Sequence, residues 1–242
     1  MVISKIDPNI IGRFCENEFL NSDALITIHN WIRNQEWEDG IKSLQWLGDR
    51  NLHDLKRNQG TKKELPGYIF WPHVDNNQRF TRFTEPKQSS SIHCTRTPTG
   101  GYYKPHFDDY NLGNFSTTIF LNEPDEYDGG ELVLWLDGKE RFFKPKAGHG
   151  ITYETGIGHR VNTVTKGERL VIVFWTTSRW TDINMFRKFK YYDYMTQYSY
   201  DDKIYDTLDE YCNSAQTVIR RRTENILKGQ FRDCPQHLDS LT

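Results

Sequence analysis

No run in this 242-residue chain approaches the ~20 consecutive apolar residues that a membrane-spanning helix needs, which excludes that class of protein. An excess of one charge is missing too. The 31 basic residues face 33 acidic ones for a net charge of −2, so no bulk field draws the chain to nucleic acid. Cysteine is sparse: Cys15, Cys94, Cys212 and Cys234 lie far apart, form no C-x-x-C pair and read as reduced thiols. Met1-Val2-Ile3-Ser4-Lys5 lacks the apolar stretch of a secretory signal, so a cytoplasmic protein is expected. Internal repeats and low-complexity tracts are absent. Aromatic residues, by contrast, are plentiful at 14%, with 7 Trp and 13 Tyr, which excludes a disordered chain and implies a packed core.

Hydrophobic patterning divides the chain into three zones. Residues 1–65 read as a mostly helical support: Ser22 is a candidate N-cap, Leu25, Ile28 and Ile32 follow at helical spacing, and a weaker helix is expected near 42–57. Residues 66–180 read as a mainly β core. Strands are expected at 67–71, 79–84, 91–96, 102–108, 116–122, 131–135, 141–144, 150–154, 159–164 and 169–176, separated by Gly-containing turns. Many short strands without intervening helices argue for a two-sheet sandwich or jelly roll and exclude a parallel α/β sheet. Residues 181–242 read as a C-terminal helical extension, with Asp201 as a cap and Gly229 as a stop. Its Arg220-Arg221-Arg222 run is balanced by acidic residues and reads as a solvated face.

Chemistry concentrates in the middle zone. His106 and Asp108, two apart on an expected strand, would project to one face. They supply two thirds of the 2-His-1-carboxylate set that holds non-haem Fe(II). An isolated H-x-D is common, and a surface histidine is the ordinary alternative for His159. That residue nevertheless lies 53 residues after His106, about the chain length needed to circle a sandwich and return. Arg169 opens the segment Arg169-Leu-Val-Ile-Val-Phe-Trp175, whose two faces are both apolar, so the strand is central. A guanidinium there is costly unless it meets an anion. A carboxylate, from the protein or from a ligand, is the partner that arginine grips best.

These pieces together resemble the Fe(II)- and 2-oxoglutarate-dependent dioxygenases of the prolyl 4-hydroxylase type, nearest to the bacterial PKHD-type hydroxylases. Gly101-Tyr-Tyr-Lys-Pro-His-Phe-Asp108 is similar to that family's Y-x-x-H-x-D strand, and Asp128-Gly-Gly-Glu-Leu132 to its G-G-E-L turn. The segment from His159 through Arg169 to Ser178 is similar to its distal-histidine region. The resemblance covers about residues 90–180. It implies a double-stranded β-helix with flanking helices, iron ligands His106, Asp108 and His159, and Arg169 on the distal carboxylate of 2-oxoglutarate. It places Tyr103 and Trp175 against the substrate, with core packing as the alternative for both. The implied reaction hydroxylates an unactivated C–H bond, most simply of a peptidyl proline, consuming molecular oxygen and releasing succinate and CO2. L-ascorbic acid is the implied accessory reductant. Where many relatives carry a tyrosine nine or ten residues before the first histidine, this chain has Thr97 and Arg96.

Rival readings change the substrate or the class. The same chemistry on a free amino acid or other small metabolite stays open. Nucleic-acid dealkylases place a second arginine six residues after the first, where this chain has Trp175. A non-catalytic cupin-like metal-binding sandwich would have no reason to bury Arg169, and a zinc hydrolase would gather more His or Cys ligands. Tyr103 lies an odd number of residues from His106, so for both to face the site a bulge is required near Pro105. Cys94 is expected to be an ordinary buried thiol.

Overall fold

β-Branched and aromatic residues dominate Glu168–Ser178, and this segment forms an 11-residue strand around which the sheets are built. The computed structural model describes residues 13–40, 55–136, 138–180 and 186. In chain order these give β1 (Phe14–Glu18), α1 (Ser22–Arg33), β2 (Trp37–Asp39), β3 (Leu55–Lys56), β4 (Gln59–Thr61), α2 (Gly67–Asp75) and α3 (Gln78–Thr84). There follow β5 (Pro86–Ser89), β6 (His93–Pro98), β7 (Tyr102–His106), β8 (Phe115–Phe120), β9 (Asp128–Gly129), β10 (Leu132–Leu136) and β11 (Lys139–Phe143). The last four are β12 (His149–Glu154), β13 (His159–Val161), β14 (Val164–Lys166) and β15 (Glu168–Ser178).

The larger sheet runs β1-β12-β8-β15-β6-β4-β2, with β5 also pairing β15. A smaller sheet runs β11-β10-β13-β7-β3, and β14 pairs with β9 in a separate ribbon. Every recorded pairing is antiparallel. The fold is a mainly β jelly roll. No helix among the described residues is long and apolar enough to cross a membrane.

Strand alternation gives β15 two different jobs. Leu170, Ile172 and Phe174 join the main core, which also contains Ala24, Ile28 and Ile32 of α1, Phe70 and Val74 of α2, and Phe80 of α3. The Phe174 ring meets Phe70 and Trp71 edge-on at 5.5 Å each and Phe80 at 6.0 Å. Arg169, Val171, Val173 and Trp175 face the opposite way, toward the smaller sheet. The helices therefore clamp one side of the larger sheet and leave its other side to build a cleft.

Local chemistry corrects several expectations. Residues 67–71 and 79–84 are helical, not strands. Their aromatics suggested β structure, but Phe70 and Val74 are buried four apart, and Phe80 and Phe83 three apart, which is helical spacing. Asn77 accepts from the Phe80 amide at 2.9 Å and caps α3. At α1 the cap is Asn21, accepting from the Ala24 amide at 2.9 Å, and Ser22 is the first helical residue. The strand expected over 102–108 ends at His106, which leaves Asp108 in the following loop. The one expected over 159–164 is broken into β13 and β14. Of the helix expected over 42–57, Leu55–Lys56 is a strand paired with β7, and residues 41–54 lie outside the described residues, as does the helix expected after Asp201. Residues 13–40 and 55–65 also contribute short strands, β1 to β4, beside α1. These carry few β-branched residues and owe their conformation to the edges they cover.

Phe174→Ala removes the ring on which three aromatic side chains converge. We expect a loss of about 3–5 kcal/mol of unfolding free energy, measured as a drop in the denaturant midpoint at unchanged slope.

Candidate active site

Antiparallel pairing sets the two histidines opposite each other: His106, the last residue of β7, is the register partner of His159, the first of β13. Their ring centroids lie 4.1 Å apart, and both residues are buried. Each Nδ1 sits on the carbonyl two residues earlier, His106 on Lys104 O at 2.8 Å and His159 on Ile157 O at 3.0 Å. A carbonyl only accepts, so both Nδ1 atoms carry a proton, and in the neutral imidazole Nε2 is then the atom with the lone pair. The backbone thus fixes the tautomer that a metal requires.

Asp108 completes the set from the loop after β7. Its Oδ1 lies 3.6 Å from His106 Nε2 and 3.7 Å from His159 Nε2. These separations are too long for hydrogen bonds and suit three donors aimed at one common centre. The other oxygen, Oδ2, accepts from Ser116 Oγ at 2.7 Å and from Trp175 Nε1 at 2.9 Å. Among the described residues, His106, Asp108 and His159 are the group whose ligand atoms all lie within 4.8 Å of one another. Two imidazoles and one carboxylate, all on one side, match the donor set of a non-haem iron site with open positions.

Arg169 forms the far wall of the same cleft, which is also lined by Tyr103, Thr118, Tyr153 and Val173. Its guanidinium is buried, forms no ion pair among the described residues, and leaves Nε without a partner. Burial pulls its pKa below the ordinary arginine value, against the pull of Tyr127 and Tyr153. The Phe120 ring lies 5.1 Å from the guanidinium, but a buried cation without an ion partner still costs several kcal/mol, so the position suits an anion that enters the cleft. Gly130 makes room for it. At φ +69°, a Cβ there would lie 3.2 Å from Arg169 Cδ and 3.0 Å from Tyr127 and Val164, while one on Gly129 would collide with Thr163 O. The donor set fits iron, and the orphaned guanidinium fits the free carboxylate of a dicarboxylic co-substrate.

Comparison with known proteins agrees with this geometry. The 2OG-Fe(II) oxygenase superfamily matches residues 91–177. A PKHD-type hydroxylase of Rippkaea orientalis is 33% identical over 171 residues, covering 67% of this chain and 77% of its own length. The chain belongs to the PKHD-type hydroxylases of the 2OG-Fe(II) oxygenase superfamily. Solved structures support the fold. A Trichoplax adhaerens prolyl hydroxylase, in complex with a hypoxia inducible factor peptide fragment, superposes with TM-score 0.54 at 16% identity, over 71% of this chain and 89% of that one. A Pseudomonas putida prolyl-4-hydroxylase gives 0.51 at 19% identity, over 70% and 95%.

The remaining residues singled out from the sequence of this PKHD-type hydroxylase have distinct places. Tyr103 lines the cleft because β7 bulges: Tyr103 pairs with Val161 and His106 with His159, so three steps on β7 oppose two on β13. Its ring stacks on that of His106 at 3.7 Å and 22°. Trp175 faces the site side of β15, but it is 5% exposed and its indole is engaged with Asp108. That leaves little of it for a substrate. Arg96 points to the opposite face, where its Nε donates to Gln59 Oε1 at 2.6 Å and its guanidinium lies 4.4 Å from the Trp37 ring. Thr97, the register partner of Arg169, takes the site-facing position instead and accepts from Asn58 Nδ2 at 3.2 Å. Burial pushes the Cys94 thiol up to about 12. Sequence reasoning missed Ser116 and Tyr153. Their positions read as ordinary strand residues, and only the register Trp175↔Ser116 reveals the first. Burial drives the Tyr153 phenol far above its usual range, so it stays protonated beside the His159 ring at 5.2 Å.

Two outcomes are expected. Arg169→Ala should raise the apparent KM for 2-oxoglutarate about 10- to 100-fold, the worth of one or two charge-assisted hydrogen bonds, with metal affinity unchanged. Since Cys94 is buried and its thiol is pushed up to about 12, peptide mapping after iodoacetamide at pH 8 should find it unmodified in the folded protein.

Proposed function

We propose that this chain is an Fe(II)- and 2-oxoglutarate-dependent hydroxylase whose target is a peptidyl proline. The observation that carries the target is Tyr103, a partly exposed ring stacked on His106 and lining the cleft. A flat aromatic face beside the reacting centre suits a saturated ring, and an open cleft admits a side chain presented by an extended segment. The peptide-bound fold neighbour from Trichoplax adhaerens supports the same reading. The buried, free thiol of Cys94 supports a reducing, cytoplasmic setting. Ascorbate as an accessory reductant rests on the family resemblance.

In this reading His106, Asp108 and His159 hold the metal and Arg169 holds the distal carboxylate of 2-oxoglutarate. Iron and co-substrate, when bound, supply the activation of molecular oxygen, with release of succinate and CO2 and transfer of one oxygen atom to the substrate C–H bond. The protein's own residues hold and orient. Lys104 O and Ile157 O hold the imidazoles in the ligating tautomer. Arg169, fixed on a central strand, anchors one end of the co-substrate so that its other end falls toward the histidines. Val173 and Leu132, with the protonated Tyr153, line the space between.

The test is succinate release from 2-oxoglutarate with Fe(II), screened against proline-rich peptides and free amino acids. Proline-rich peptides should stimulate succinate formation and gain one oxygen on proline. Tyr103→Ala should abolish most of that stimulation and leave the slow peptide-independent decay. Stimulation by free amino acids alone would overturn the peptidyl target in favour of a small metabolite.

A further inference from the structure

We propose that Ser116 and Trp175 are positioning residues that keep Asp108 a one-oxygen ligand. The inference rests on the metal-centre reading above. Asp108 sits in a loop, where a carboxylate is free to rotate about its last torsion and offer either oxygen, or both, to a cation. Two donors stop that rotation. Ser116 Oγ, 2.7 Å away, and Trp175 Nε1, 2.9 Å away, both donate to Oδ2, while Oδ1 is the atom that faces the two histidine Nε2 atoms.

Both donors are strand residues. Ser116 of β8 and Trp175 of β15 are register partners in the middle of the larger sheet, and both are buried. Ser116 Oγ also lies 3.3 Å from Thr155 Oγ1, and the Trp175 ring packs edge-on against His93 at 5.8 Å. The loop carboxylate is thus referenced to two paired strands rather than to its own backbone. Trp175 acts through Asp108, not on a substrate.

The arrangement matters for the number of open positions. A two-oxygen carboxylate would take a fourth of six metal positions and leave two, where a chelating co-substrate and dioxygen need three. Engaging Oδ2 on the protein side reserves the third.

Metal-free protein titrated with Co(II), followed by calorimetry and by visible absorption, tests this. Trp175→Phe and Ser116→Ala should each weaken Co(II) binding about 10- to 100-fold and alter the Co(II) band shape, with the thermal midpoint of the metal-free protein within about 2 °C of wild type. Ser116→Thr, which keeps the hydroxyl, should restore wild-type affinity and spectrum. A second reading is the Trp175 indole N–H resonance in a ¹⁵N-labelled sample, which should be protected from exchange in wild type and lose that protection in Asp108→Ala. Wild-type Co(II) affinity and spectrum in both Trp175→Phe and Ser116→Ala would overturn the positioning role alone. A wild-type protein that binds no Co(II) would overturn the metal-centre reading, and this proposal with it. Should Trp175→Phe fail to fold, the Ser116→Ala and Ser116→Thr pair decides.

Discussion

The alternation of β15 is the constraint on which everything else rests. Its odd-numbered side chains from Arg169 to Trp175 face the smaller sheet, and its even-numbered ones face the helices. A slip of one residue would put Phe174 in the cleft and Arg169 among Phe70 and Phe80. Three neighbours hold the register: β6 and β8 flank the strand along most of its length, and β5 continues the pairing toward Ser178. The interlocked aromatic core therefore does more than stabilise. By fixing one face it aims the other, and the guanidinium and the indole arrive at opposite ends of the same site.

Burial of charge divides the protein's tolerance unevenly. Exposed pairs such as Lys62–Glu36 form in the open, where such contacts contribute little. Among the described residues Arg169 has no such pair, and its desolvation is a standing cost that the aromatic core must outweigh. An anion entering the cleft would recover that cost, so a share of its affinity would come from relieving the buried charge.

Much of this was legible in the sequence, for particular physical reasons. The strands near the centre carry runs such as Val171-Ile172-Val173-Phe174, whose chemistry allows little else. His106, Asp108, His159 and Arg169 stand out because polar groups at such positions are expensive. The first part of the chain was harder to read. Phe70, Val74, Phe80 and Phe83 look β-like residue by residue, and only their spacing and the Asn77 cap reveal helices. Strands β2, β4 and β5 are short edge or near-edge elements whose conformation is imposed by neighbours. The part played by Trp175 was hidden for a different reason: an indole donor and a loop carboxylate 67 residues apart meet only through tertiary register.

The glycine pair at 129 and 130 carries a consequence for how this site can change over time. Gly130 has no Cβ because the stem of Arg169 runs past it, and Gly129 has none because Thr163 O lies in that space. The Arg169 side chain and the turn beside it are therefore a single steric unit. Any drift in the turn that added a side chain would displace the guanidinium before it disturbed the sheet. The Arg169 end of the cleft is in this sense locked to one solution, whereas the rim around Tyr103 is bordered by loop and edge backbone, where sequence change is better tolerated.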